Sequence, residues 1–310
     1  MKSVVREPAK ETVIIEGLKY PEGPKINADG VLTFVELAAG SVSRVIEGQR
    51  VVLADLGGSP NGAAFDEEGS LWVCNNGGHW GPNQSTGFQA GPGNIVPPAI
   101  QMVREDGSWT TVVTEIDGVS LSSPNDIALD PRGGGWFTDP AWAVPDAQGV
   151  AHASDSPPGF VCYFDESGKA TRCVGELLFP NGVVLSPDSS ELLVGETGTG
   201  KILAYPILAP GQLGEARVWC DLGLDGFPDG MAFDSSGNLV IAGTGSSALF
   251  IANPGRETEV LPMADIDVTN LCFAGPDGKT LFVTEAALGR VVSIDWDVAG
   301  QPLPVGPRCW

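Results

Sequence analysis

A short pattern recurs six times along this chain of 310 residues, and a repeat at this scale restricts the possible folds more than any other sequence feature. Two copies nearly duplicate each other: FPDGMAFDSSGNLVI at 227–241 and FPNGVVLSPDSSELLV at 179–194. The others are YPEGPKINADGVLTF (20–34), SPNGAAFDEEGSLWV (59–73), SPNDIALDPRGGGWFT (123–138) and, more loosely, VTNLCFAGPDGKTLFV (268–283). In each copy the third residue is an acid or an amide. An alternating apolar run follows, then a polar turn, then a second apolar run. Met231-Ala232-Phe233 predicts a strand, Asp234-Ser235-Ser236-Gly237 a turn, and Leu239-Val240-Ile241 the next strand.

The third residues are Glu22, Asn61, Asn125, Asn181, Asp229 and Asn270, spaced by 39, 64, 56, 48 and 41 positions. The shorter spacings approach the roughly 40–45 residues of a four-stranded propeller blade. The longer ones leave room for inserted loops near 75–100 and 139–158, which are rich in Gly, Pro and Asn and carry aromatic residues. Further strand candidates, KILAYPI (201–207) and GFVCYFD (159–165), lie between copies, and no stretch shows a long helical period. The 42 Gly and 25 Pro fall at recurring turn positions, as many short strands require. The expectation is an all-β chain forming one six-bladed β-propeller over 1–310, without a domain boundary. Six copies of one signature disfavour a pair of all-β sandwiches, and radial closure leaves only short, protected strand edges.

The formal charge of −22, with only 17 Lys plus Arg, makes nucleic acid an unfavourable partner. The first residues hold no apolar core of signal-peptide length, and no window approaches the ~18 apolar residues of a membrane span. Six cysteines (74, 162, 173, 220, 272 and 308) are scattered without a Cys-x-x-Cys pair. Together these features lead to the expectation of a cytoplasmic protein with reduced thiols, no membrane partner, and a monomeric or small homo-oligomeric state. Cys162 and Cys173 flank the turn DESGKA, where a regular hairpin would set them opposite each other. The segment GETGTGK (195–201) has phosphate-loop spacing, but Ile202 follows where Ser or Thr is needed and the context is strand–turn–strand. No Gly-x-Ser-x-Gly elbow occurs, and the two histidines, His79 and His152, both lie in the inserted loops, so a Ser-His-Asp triad has little support.

Equivalent positions in a propeller are equivalent around its axis. If the third residue of each copy begins an innermost strand, six oxygen-bearing side chains converge near one mouth of the channel. Carboxylates and amide carbonyls suit a hard divalent cation, Ca²⁺ first, with Mg²⁺, Mn²⁺ or Zn²⁺ as alternatives. Glu22 and Asp229 would balance its charge while the amides add donors. The plainer reading is that Asn and Asp before Gly simply cap turns. Glu22 argues against it, because Glu is a poor turn former and occupies the same slot.

The ordered motifs YPEGP, SPNDIALDP, FPNGVVLSPD and FPDGMAFDSSGNLVIA resemble the gluconolactonase / regucalcin (senescence marker protein) / luciferin-regenerating family, over a stretch from about Tyr20 to Ile294. That resemblance implies a six-bladed propeller with one divalent cation in its channel, in a family many of whose members hydrolyse sugar lactones. It implies that Glu22, Asn181 and Asp229 are the metal ligands, that Asp229 is also the catalytic base, and that Asn125 lies beside metal and substrate. Asn61 joins the expected substrate contacts. Ser123 stands where family members that act on sugar lactones often carry an Arg, which puts a polyol substrate in doubt. His79, Trp80 and Trp142 of the inserted loops, with Phe88, are expected to shape a pocket for a less polar lactone or ester. Phosphotriester hydrolysis, or ligand binding by a non-catalytic Ca²⁺-binding propeller, are the alternatives.

Overall fold

The structure, a computed structural model, describes residues 3–78, 95–141 and 157–302. Among them there is no helix; the chain forms strands joined by turns. Strands β1 (Ser3–Val5) and β2 (Thr12–Glu16) precede the first repeat. Blade 1 comprises β3 (Pro21–Ile26), β4 (Leu32–Glu36), β5 (Ser41–Ile46) and β6 (Gln49–Asp55). Blade 2 comprises β7 (Pro60–Phe65), β8 (Leu71–Asn75), β9 (Ala99–Val103) and β10 (Trp109–Val113). A small hairpin, β11 (Glu115–Ile116) and β12 (Val119–Ser120), leads into blade 3: β13 (Ile127–Leu129), β14 (Gly135–Asp139), β15 (Gly159–Phe164) and β16 (Ala170–Leu177).

Blade 4 runs through β17 (Pro180–Leu185), β18 (Glu191–Glu196), β19 (Lys201–Ala209), the short β20 (Gln212–Leu213) that folds back on it, and β21 (Arg217–Asp221). Blade 5 holds β22 (Pro228–Phe233), β23 (Leu239–Gly243), β24 (Ala248–Ala252) and β25 (Thr258–Pro262), with β1 added in parallel on β25. Blade 6 holds β26 (Val268–Ala274), β27 (Thr280–Glu285) and β28 (Arg290–Asp295). Its fourth strand is β2, antiparallel to β28, so residues from the start of the chain complete the last blade and close the ring. The expected six-bladed β-propeller is therefore the observed fold.

The core is six wedges, one at each blade boundary. Strand side chains alternate between faces, so each blade feeds two wedges. In β23, Leu239 and Ile241 pack with Leu193 and Ile202 of blade 4, whereas Val240 and Ala242 pack with Val268, Leu281 and Val283 of blade 6. Both faces are buried, which is why the second strands read as continuous apolar runs. The innermost strands β7, β17 and β26 are buried throughout, while the outermost β6 is largely exposed and β10 only partly buried. Polar side chains on the innermost strands are thus sealed from bulk water.

The expected facing of Cys162 and Cys173 across a regular hairpin is corrected, whereas a disulfide between them is not expected. A bulge between Val161 and Cys162 in the β15–β16 ladder sets Cys162 opposite Arg172, leaving Cys173 as the unpaired extra residue. Cys162 lies buried in the blade 2–blade 3 wedge, and the Cys173 thiol faces the Gly211 carbonyl at 3.3 Å. Both are free thiols. Residues 195–201 form the end of β18, a turn and the start of β19, as the strand–turn–strand reading requires.

Candidate functional site at the propeller hub

Glu22, Asn61, Asn181 and Asp229 are each the second residue of an innermost strand, β3, β7, β17 and β22. Asn270 is the third residue of β26, and Asn125 lies two residues ahead of β13. All six are buried. In five blades the ladder to the second strand shifts register beside the third residue of the repeat. A bulge frees a residue from ordinary pairing and re-aims its side chain. Here that takes the polar group out of the alternation that would bury it in an apolar wedge.

The innermost strands contact one another in sequence around the ring, from β3 through β7, β13, β17, β22 and β26 back to β3. The polar residues at their starts interlock. Asn270 Nδ2 donates to Glu22 Oε2 at 3.0 Å, and the same carboxylate oxygen accepts the Gly23 N–H. The Gly62 N–H donates to the Asn125 carbonyl at 2.6 Å. The Asn181 amide hydrogen-bonds the Asp229 carboxylate. Crowding at this hub explains the glycine that follows in most copies: a Cβ on Gly182 would overlap the Asp229 carbonyl oxygen, and one on Gly230 would overlap the Asn270 amide.

In blade 3 that glycine is replaced by Asp126, which sequence reasoning passed over. Its carboxylate fills the space a Gly62 side chain would need, and Asp126 Oδ2 accepts the Val183 N–H at 3.0 Å. The signal was legible, since SPND is the one Pro-containing copy with a non-glycine fourth residue. Sequence reasoning also missed the acids and amide ending the second strands. Glu36, Asn75, Asp139, Glu196 and Glu285 accept the backbone N–H of Lys19, Ser59, Ser122, Leu178 and Asp265, holding the loop that enters each innermost strand. Glu36 and Glu285 are further paired with Arg50 and Arg290. These side chains are occupied in supporting the backbone.

The hub carboxylates are under electrostatic stress. Burial, then the neighbouring Asp126 charge, pushes Glu22 up to about 8, although Asn270, the Gly23 N–H and the Lys25 charge pull the other way. Asp229 is raised well above the usual carboxylate range by burial and by Glu22 and Asp126. Asp126 is raised by burial, partly offset by Lys25. The Asn181 amide that bonds Asp229 has a buried acceptor, Oδ1, with no hydrogen-bond partner. Among the described residues no three His, Cys, Asp or Glu side chains form a metal-holding cluster of their own. The hub's donors are mixed carboxylates and amides. An unpartnered amide oxygen beside two acids that burial disfavours as anions is a donor set that fits one hard cation.

Backbone strain falls on the same segments. Tyr20, Phe179 and Phe227 have φ of +58°, +56° and +40°. Bulky side chains in this left-handed region cost on the order of 1–3 kcal/mol each. They immediately precede Pro21-Glu22, Pro180-Asn181 and Pro228-Asp229. Ser123 is buried close to the hub, its N–H donating to Asp139 Oδ1 at 2.6 Å. His79, Trp80, Phe88, Trp142 and His152 lie outside the described residues.

Fold and hub together define a six-bladed propeller whose innermost strands carry a ring of buried carboxylates and amides. The chain belongs to the SMP-30/Gluconolactonase/LRE-like family, whose model matches residues 20–287. Among curated proteins it is 27% identical over 208 residues to a diisopropyl-fluorophosphatase of Loligo vulgaris, covering 64% of this chain and 66% of that protein. It is 28% identical over 195 residues to a gluconolactonase of Zymomonas mobilis, covering 56% of this chain and 51% of that protein. The chain thus spans about half to two thirds of the length of these relatives. A solved structure of regucalcin from Agrobacterium tumefaciens, described as a calcium-binding protein, superposes with a TM-score of 0.75 at 17% identity over 100% of both chains, a likeness of fold.

Proposed function

We propose that the protein is a metal-dependent hydrolase that opens a lactone, or a related ester, at the mouth of the propeller channel. The observation that carries this reading is the buried, unpartnered Asn181 Oδ1 beside the Glu22 and Asp229 carboxylates. These three residues would hold one divalent cation, Ca²⁺ first, with Mg²⁺, Mn²⁺ or Zn²⁺ as alternatives that oxygen ligands also accept. When bound, such an ion polarises a carbonyl and stabilises the oxyanion formed on it.

The chain's own groups supply the rest. Asp229, raised by burial and by its acidic neighbours, would take a proton from the attacking water on a carboxylate oxygen. As the acyl–oxygen bond breaks, the same oxygen returns that proton to the departing ring alkoxide, leaving a hydroxy acid. Asn125, with Asn61 beside it in the ring, offers amide groups to orient the substrate. The buried hub excludes bulk water, which strengthens each of these interactions.

The relatives support hydrolysis as the reaction class, since their names include a gluconolactonase and a fluorophosphatase. The latter makes phosphotriester cleavage the second reading. A panel of γ- and δ-lactones, aryl esters and a phosphotriester, assayed with and without EDTA, decides between them. Turnover of a lactone that EDTA abolishes is the expected result. Metal-dependent turnover of the phosphotriester alone would favour the second reading, and no turnover of any substrate would leave a binding protein.

A further inference from the structure

Three buried threonine hydroxyls cross blade boundaries, and each lands on a main-chain carbonyl at or next to one of the residues assigned above to the cation. Thr269 of blade 6 donates to the carbonyl of Pro21, the residue before Glu22, at 3.3 Å. Thr138 of blade 3 donates to the carbonyl of Asn181 itself at 2.7 Å. Thr197, just after β18 of blade 4, donates to the carbonyl of Pro228, the residue before Asp229, at 2.6 Å. All three side chains are buried.

Two of the hydroxyls also tie in a second strand of the hub. Thr138 Oγ1 accepts the Asp126 N–H at 3.1 Å, so one hydroxyl joins the backbones that carry Asp126 and Asn181. Thr269 Oγ1 lies 2.9 Å from Thr284 Oγ1, which accepts the Asn270 N–H at 2.9 Å. The clasped segments are the ones entered through the left-handed Tyr20, Phe179 and Phe227. A strained peptide relaxes unless something over-determines it. A buried hydroxyl donating to the adjacent carbonyl does so, because breaking that bond leaves an unsatisfied group in a dry site.

We infer that Thr138, Thr197 and Thr269 are positioning residues for the cation site. Each fixes the peptide beside one ligand from the preceding blade, so that the carboxylate and amide oxygens are arranged before the ion arrives. This rests on the assignment of Glu22, Asn181 and Asp229 as ligands in the proposed function. Threonines that merely glued blades together would affect stability but leave the ion's affinity for folded protein unchanged. Groups that orient ligands, by contrast, cost about 10–100-fold in metal affinity when removed.

The test replaces each threonine by Val, which keeps the shape and deletes the hydroxyl, and by Ser, which keeps the hydroxyl and deletes the methyl. Ala takes the place of Val where a valine variant does not fold. Thr33→Val is the control: Thr33 is fully buried, and its Oγ1 has no hydrogen-bond partner. Ca²⁺ affinity is read by isothermal titration calorimetry at pH 8, and ion-free stability by thermal unfolding. The expected result is a loss of about tenfold or more in affinity for each hydroxyl deletion. Ser variants should bind within about twofold of the parent even where their ion-free Tm falls, and Thr33→Val should bind as the parent does. Parent-like affinity in the Val variants, or an equal loss in the Ser variants, overturns the inference while leaving the cation site standing. A parent protein that binds no divalent ion overturns the site itself and the inference with it.

Discussion

Raising the pH from 6 to 8 should tighten cation binding steeply, because Glu22 must lose a proton to serve as a ligand. Its ordinary value of 4.5 is pushed to about 8, first by burial and then by Asp126. If only the carboxylate binds the ion, Glu22 alone makes apparent affinity rise about tenfold per pH unit below that value, roughly 50-fold between pH 6 and 8, and Asp229, raised as well, steepens the rise wherever it too must lose a proton. The stability of the ion-free protein should move the other way. A folded-state value above the unfolded one means that folding favours the protonated acid. That contribution is complete below 4.5 and is lost as pH rises towards about 8. Replacing Glu22 by Gln keeps the shape without the charge. A tenfold change in proton affinity on folding is worth about 1.4 kcal/mol, so the ion-free variant should be more stable than the parent at pH 8 by an amount on the order of a few kcal/mol, while binding no ion. Calorimetric titration with Ca²⁺ at four pH values, together with urea unfolding in EDTA, measures both. Affinity that stays flat from pH 6 to 8, or an ion-free Glu22→Gln protein less stable than the parent at pH 8, would refute the reasoning.

Asp126→Asn should keep the Val183 hydrogen bond but remove the largest charge acting on Glu22, moving the pH midpoint of Ca²⁺ binding downward; an unchanged midpoint in the same titration counts against a role for Asp126. Gly182→Ala places a Cβ against the Asp229 carbonyl, where backbone has little room to give, and should cost about 1–3 kcal/mol in urea unfolding along with loss of the ion by elemental analysis. Because Ser123 lacks the bidentate, charged contact an Arg gives a polyol or carboxylate, kcat/KM for glucono-lactone should fall below that for an aryl lactone such as dihydrocoumarin, and Ser123→Arg should narrow the gap. A clear preference of the parent for the sugar lactone would contradict this.

The repeat alone determined the blade count and the address of the hub. Turn glycines, alternating runs and the third-position acid or amide are local signals, and a closed ring of equivalent blades carries equivalent positions to one axis. Glu22, Asn61, Asn125, Asn181, Asp229 and Asn270 are therefore legible as a group in the sequence. What distinguishes them from one another is not. Asn181 has an unpartnered oxygen while Asn270 bonds Glu22, although both are asparagines at the same place in the template. Their partners come from neighbouring blades; Asn270 and Glu22 stand 248 positions apart and meet only because the ring closes.

The same holds for the features that sequence reasoning missed. Asp126 reads as an irregular turn residue until Gly62 of the preceding blade leaves room for its carboxylate. Thr138, Thr197 and Thr269 look like ordinary strand and turn threonines until another blade's carbonyl lies within reach. The facing of Cys162 and Cys173 failed for a related reason, since a bulge shifts every later residue by one and leaves no mark in the alternation. Sequence periodicity decides which residues leave the apolar wedges for the hub. Which of them share a hydrogen bond is decided by distances between strands far apart in the chain, and closure of the ring sets those distances.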